Sequence, residues 1–257
     1  MVYCDSKTGV VFPEISYGFY SVFAELYALD YDTIPLEKDW SIEYKKYCGA
    51  NKTIVIANPN APTGLSLTVY EIEEILKSNK DNIVVIDEAY VDFGGKTCYN
   101  LIEKYDNLIV VQTFSKSRSL AGARLGFAIA QEALIADLDK IRFSINPYNI
   151  NRLTLVAGRA AIEDDTYYKE NCQKIIETRA YTTNELRTRG FEVIDSDANF
   201  IFAKHDAYSG EDLYLRLKEK GILVRHFSKK RIGDYLRITI GTKEQMDVLI
   251  GTLKEIL

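Results

Sequence analysis

The sequence predicts an α/β protein in which a mostly parallel, helix-covered sheet is followed by a small α+β domain. Three observations predict it. The first half carries continuous apolar runs, "TIVIAN" (53–58), "NIVVIDE" (82–88), "NLIVVQTF" (107–114) and "LGFAIA" (125–130), where a one-sided sheet would alternate. Such runs suit strands buried on both faces, as in a parallel sheet covered by helices. Between the first two lies a stretch of helical period, and strands alternating with helices imply β-α-β crossovers. After about residue 131 the pattern changes to helices, then to strand, strand, helix, strand, strand, helix.

The elements follow in order. An opening strand is read near "GVVF" (9–12), with almost nothing before it for a parallel-sheet domain. In "SLTVYEIEEILKSN" (66–79), Leu67, Ile72, Ile75 and Leu76 fall near helical spacing, and Ser66 is the expected N-cap. "QEALIADLDKIR" (131–142) and the stretch from Asn151 to about Arg189 read as helices, the second long or broken. "FEVIDS" and "NFIFAK" read as strands, "SGEDLYLRLKEKG" as a helix, "ILVRHF" and "YLRITIG" as strands, and "TKEQMDVLIGTLKEIL" as a closing helix. A boundary near residue 150 gives a large domain over 1–150 and a small C-terminal domain over 151–257. No internal repeat, low-complexity tract or flexible linker is read.

Composition narrows the function. The 257 residues are 47% hydrophobic, enough for a substantial core. Net charge is −5 and no basic stripe stands out, so the electrostatic footprint of a nucleic-acid binder is missing. Cys4, Cys48, Cys98 and Cys172 are scattered without a C-x-x-C pair, and His205 and His226 lie far apart, so no metal site is expected. "MVYCDSKTGVVFPEIS" lacks the charged and apolar regions of a signal peptide, and no apolar run reaches membrane-spanning length. The expected location is the cytoplasm.

Open α/β sheets bind ligands at the carboxyl ends of their strands. "NPNAPTG" (58–64) follows the first long apolar run, "DEAY" (87–90) ends the next, "TFSK" (113–116) ends the third, and Arg124 precedes the fourth. A lysine there, beside a desolvated acid, hydroxyls and an arginine, suits a cofactor that bonds an amine and carries a phosphate.

From Ile54 to Phe127 the chain resembles the pyridoxal-phosphate-dependent aminotransferases of fold type I. "NPNAPTG", "DEAYVDF" and "TFSK…AGARLGF" stand in that family's order and spacing. "DEAYVDFGG", "SDANFIFAK" and "LRITIGT" together resemble the histidinol-phosphate aminotransferase subfamily most closely. The resemblance covers essentially the whole chain. It implies a large domain like that of the pyridoxal-phosphate transferases, a homodimer, and amino transfer between L-histidinol phosphate and 2-oxoglutarate in histidine biosynthesis.

It also implies residue roles. Lys116 would bond the cofactor aldehyde carbon and shuttle a proton; taken singly, a lysine on a turn is a solvated charge. Asp87 would keep the pyridine nitrogen protonated; otherwise it is a turn residue. Tyr90 would donate to the ring's phenolic oxygen, or be a packed aromatic. Thr113, Ser115 and Arg124 would hold the phosphate, the hydroxyls doubling as helix caps. Tyr17 aligns with the aromatic that stacks on the ring, with Tyr20 as competitor. Ala61 departs from the family, where asparagine commonly precedes Pro-Thr-Gly and contacts the ring oxygen. Tyr90 alone, or Asn58 or Asn60, is left to make that contact. Pro62 and Gly64 are expected to shape the turn. Arg237 matches the arginine for the substrate's anionic end, with Arg225 as a second candidate and His226 without a role.

Three alternatives remain: an aminotransferase for aromatic amino acids, a phosphothreonine decarboxylase, and a non-catalytic fragment. The last arises because the resemblance implies further family sequence ahead of this chain. That part would include a glycine-containing turn whose amides cradle the cofactor phosphate.

Overall fold

The computed structural model describes residues 2–5 and 7–257. Its elements run β1 (Val10–Pro13), α1 (Phe19–Leu26), β2 (Tyr31–Ile34), β3 (Thr53–Ala57), α2 (Val69–Ser78), β4 (Val84–Asp87), β5 (Leu108–Thr113) and β6 (Gly126–Ala130). There follow α3 (Glu132–Ile145), α4 (Arg152–Glu163), α5 (Asp165–Arg187), β7 (Phe191–Ile194), β8 (Phe200–His205), α6 (Gly210–Glu219), β9 (Arg225–His226), β10 (Leu236–Thr239) and α7 (Lys243–Ile256). Among the described residues, no helix is long and apolar enough to cross a membrane.

The first sheet has the order β2-β1-β3-β4-β5-β6, and the second the order β7-β8-β10-β9. The first is parallel from β2 through β5, and the second is antiparallel throughout. The apolar runs of β3, β4 and β5 supply Ile54, Ile56, Val84, Ile86, Leu108 and Val110 to one core, against which α2 sets Ile72, Ile75 and Leu76. Phe202 of β8 and Tyr235 join that core from the second sheet. A second core packs Leu186 of α5 and Leu249 and Leu253 of α7 on Val193, Ile201 and Ile238.

Two expectations need correction. The run 125–130 forms β6, but β6 is antiparallel to β5. Residues 114–125 hold the Lys116 turn and only a three-residue 3-10 helix. No helix carries the chain back along the sheet, so β6 returns at once. As an edge strand it leaves Gly126 and Phe127 exposed, where burial on both faces was expected. The N-cap of α2 is Thr68, not Ser66. Thr68 and Glu71 form a reciprocal capping box, while the Ser66 hydroxyl is buried without a partner. Glu71 stands three residues after Thr68, which the box requires. Two elements, α1 and β2, add to those expected.

Candidate active site

The carboxyl ends of β3, β4 and β5 lie side by side, because Ala57 pairs with Asp87 and Asp87 with Val111. The antiparallel turn of β6 sets Gly126 opposite Thr113, so the start of β6 meets the same edge. This is how Arg124, which precedes a strand, reaches the motifs that follow strands. Arg124 adopts a left-handed conformation (φ 53°) at the end of the short 3-10 helix. Its guanidinium is exposed and donates once, to the Ala121 carbonyl at 3.1 Å.

Lys116 is half-buried, with Nζ 5.2 Å from the centre of the Tyr90 ring. None of the ion pairs among the described residues involves Lys116 or Arg124. The turn beneath is tightly held. The Thr113 hydroxyl accepts from the Ser115 amide at 3.0 Å and donates weakly to the Leu125 carbonyl at 3.4 Å. Buried Ser117 donates to Asp92, and Arg118 lies 3.7 Å from the Tyr168 ring centre and donates to the Ala161 carbonyl of α4. The Thr113 hydroxyl is thus engaged within its own turn.

Asp87 ends β4 with both oxygens engaged, one by the Tyr20 hydroxyl at 2.7 Å and one by the Ala89 amide at 3.1 Å. Burial pushes its carboxyl above the usual range, opposed by Tyr20, the Ala89 amide and the Lys116 charge. Glu88, next in the chain, points to the opposite side of the strand, as period 2 demands. It is buried and accepts from Thr97, the Cys98 amide and Gln112. Tyr90 packs edge-on against Phe200 at 5.0 Å, and Arg179 of α5 donates to the carbonyls of both Phe93 and Ala198. One helix thus fixes the loop after β4 against the start of β8.

A cavity of about 580 Å³ opens beside this cluster, lined by Ser16, Tyr17, Ala61, Pro62, Arg225, His226, Phe227, Lys229 and Arg237 among others, with no carboxylate. Arg237 sits with its guanidinium carbon 5.1 Å from the Phe200 ring centre, and its buried Nε has no hydrogen-bond partner. Phe200 thus touches both Tyr90 and Arg237. Arg225 is exposed at the rim. Tyr17 is half exposed, stacked on Phe19 at 5.7 Å and edge-on to Tyr20 at 5.6 Å. His226 is a packing residue, its Nε2 paired with the Gly233 carbonyl and its ring on Tyr214.

Asn60 does not fit the expected role. It is fully buried, accepts from Ser16 and donates to the Ile15 carbonyl and the Thr63 hydroxyl, so its amide is spent. Asn58 is likewise tied to the Leu67 backbone through both ends of its amide. Neither amide is therefore free to make the contact expected of the asparagine that commonly stands at position 61. Gly64 does have the positive φ expected, 82°, and a Cβ there would lie 2.2 Å from Ser196 Oγ, so the turn also locks onto the loop after β7.

The chain matches the family model of class I and II aminotransferases over residues 1–253. It is 51% identical over 258 residues to a histidinol-phosphate aminotransferase of Brachyspira hyodysenteriae, covering all of this chain and 73% of that protein. It is 47% identical over 257 residues to one from Clostridium botulinum (strain Okra / Type B1), again covering all of this chain and 73% of the relative. The fold is similar to the crystal structure of the histidinol-phosphate aminotransferase from Clostridium acetobutylicum, with a TM-score of 0.88, 26% identity, and coverage of 98% of this chain and 78% of that one. Matched along almost its whole length, the chain belongs to the class I and II aminotransferases, enzymes whose cofactor is pyridoxal phosphate.

Proposed function

We propose that this aminotransferase moves an amino group between L-histidinol phosphate and 2-oxoglutarate, as a step of histidine biosynthesis. The observation that carries the reading is Arg237: a guanidinium with an unpartnered buried Nε, on a cavity lined by Arg225 and Lys229 and by no acid. A buried donor without a partner is costly unless a ligand supplies one. Both substrates carry an anion, so one cationic wall serves both in turn. The relatives' names support the same substrate.

The residues fit the cofactor: an amine free of ion pairs, a half-buried carboxylate, and a hydroxyl and arginine with donors to spare. When bound, pyridoxal phosphate supplies a protonated ring that takes up the electron pair released at the substrate Cα. Lys116 would hold the aldehyde carbon and, once displaced by the substrate amine, would carry the proton released at the substrate Cα. Asp87 keeps the proton on the ring nitrogen. Tyr90 donates to the ring oxygen, and Tyr17 covers one ring face. Ser115 and Arg124 bind the phosphate, with Thr113 shaping their turn.

We further assign residues 1–150 and 151–257 to two domains. We also propose that the protein pairs with a second copy of itself, supported by apolar side chains left exposed on α1 (Phe19, Phe23, Leu26) and on α3 and α4 (Phe143, Leu153, Val156). The test of the substrate is a coupled glutamate assay. Glutamate formed from 2-oxoglutarate with L-histidinol phosphate, well above that with phenylalanine or tyrosine, supports the reading. A preference for aromatic amino acids, or release of carbon dioxide from phosphothreonine without glutamate, overturns it.

A further inference from the structure

The Asp87 carboxylate meets the site already gripped by a residue from another element. Tyr20 lies in the first turn of α1 and donates to Asp87 Oδ2 at 2.7 Å across 67 positions of sequence. Its ring is held by Phe12 at 5.9 Å and by Tyr17 at 5.6 Å. We propose that Tyr20 is a positioning residue whose hydroxyl keeps the Asp87 carboxylate ionised and fixed in orientation toward the cofactor's ring nitrogen. The proposal rests on the reading of Asp87 as the partner of that nitrogen.

The physical need is plain. A buried carboxylate takes up a proton unless donors stabilise its charge. A neutral acid at position 87 holds no positive charge on a pyridine. Burial, and then the Asp87 charge, push the Tyr20 hydroxyl well above its usual range, so it remains a neutral donor at any working pH. The other titratable groups facing the pair are Lys116 from the turn after β5, Tyr90 from the loop after β4, and Tyr17 from the loop before α1. Of these, Lys116 favours the same ionised Asp87. The Ala89 amide holds the other oxygen, so Tyr20 and Ala89 together fix the plane of the carboxylate.

The contact is tested first without cofactor. A ¹³C NMR titration follows the Asp87 carboxyl in the protein and in Tyr20→Phe. The phenyl ring keeps the contacts to Phe12 and Tyr17, and circular dichroism checks the fold. The Asp87 midpoint is expected to rise by about one unit or more in Tyr20→Phe, since a hydrogen bond to the charged form is lost. An unchanged midpoint overturns the proposal. The second arm is a double-mutant cycle on pyridoxal phosphate affinity, read by absorbance. Tyr20→Phe should weaken binding about ten- to a hundred-fold when Asp87 is present, and by no more than about two-fold in an Asp87→Asn background. Equal losses in both backgrounds mean that Tyr20 acts on the fold alone, and overturn the proposal. An Asp87→Asn variant with unaltered affinity and turnover removes the ring-nitrogen reading, and the proposal with it, even where the NMR shift stands.

Discussion

Asp87 and Glu88 are adjacent carboxylates with opposite fates. Glu88 is saturated by three donors and holds the segment around Thr97 and Cys98, whereas Asp87 bears a costly charge in the site. Glu88→Ala should therefore lower stability by about 3 kcal/mol or more, read by urea unfolding, because it strands buried donors. Asp87→Asn should do the reverse in cofactor-free protein. The folded-state pKa of Asp87 is raised, so its stabilising protonated form prevails below the unfolded value near 3.9 and is lost as pH rises through the folded value. The variant should melt higher than the parent at pH 7, with the gap closing below about pH 4, while turnover of the loaded enzyme falls strongly. Arg237→Gln should raise KM for both substrates about ten- to a hundred-fold without loss of stability, because its Nε has no partner to lose. At this scale the motifs were legible because each is a run of unusual residues at a strand end. Tyr20 was not, because nothing in "YGFY" shows which tyrosine turns toward Asp87. The spent amide of Asn60 was not either, because hydrogen-bond saturation is set by contacts to Ile15 and Ser16 more than forty residues away.

The elements were legible where they bury a continuous stripe. β3, β4 and β5 announced themselves as apolar runs, and α2 through its spacing. The direction of β6 was not readable, since an apolar run carries no sense of direction. What decides it is the missing crossover helix between Thr113 and Gly126. α1 escaped because it fully buries only Ala24 and turns Phe19, Val22, Phe23 and Leu26 outward. The cap of α2 is written in "TVYE", Thr68 with Glu71 three residues on, two positions after the serine that was expected. The difference has a measurable consequence. Thr68→Ala should cost about 1 kcal/mol in chemical denaturation. Ser66→Ala should cost nothing or stabilise slightly, because a buried hydroxyl without a partner is removed.

At the scale of the molecule, the segments around the two sheets are tied together by contacts far apart in sequence. Phe200 and Arg237 come from β8 and β10, while Tyr90 and Lys116 follow β4 and β5. Arg179 ties the two through Phe93 and Ala198. Trp40 donates to the Tyr235 hydroxyl, and Arg231 pairs with Glu14 and the Leu36 carbonyl. These cross-links between distant segments left no local pattern to read. Lys116 is the one amine proposed to bond the cofactor. Borohydride reduction of the protein loaded with pyridoxal phosphate, followed by peptide mass mapping, tests this most directly. The label should sit on the peptide containing Ser115 and Lys116 and vanish in Lys116→Ala. Label spread over several lysines, or retained in Lys116→Ala, would contradict it.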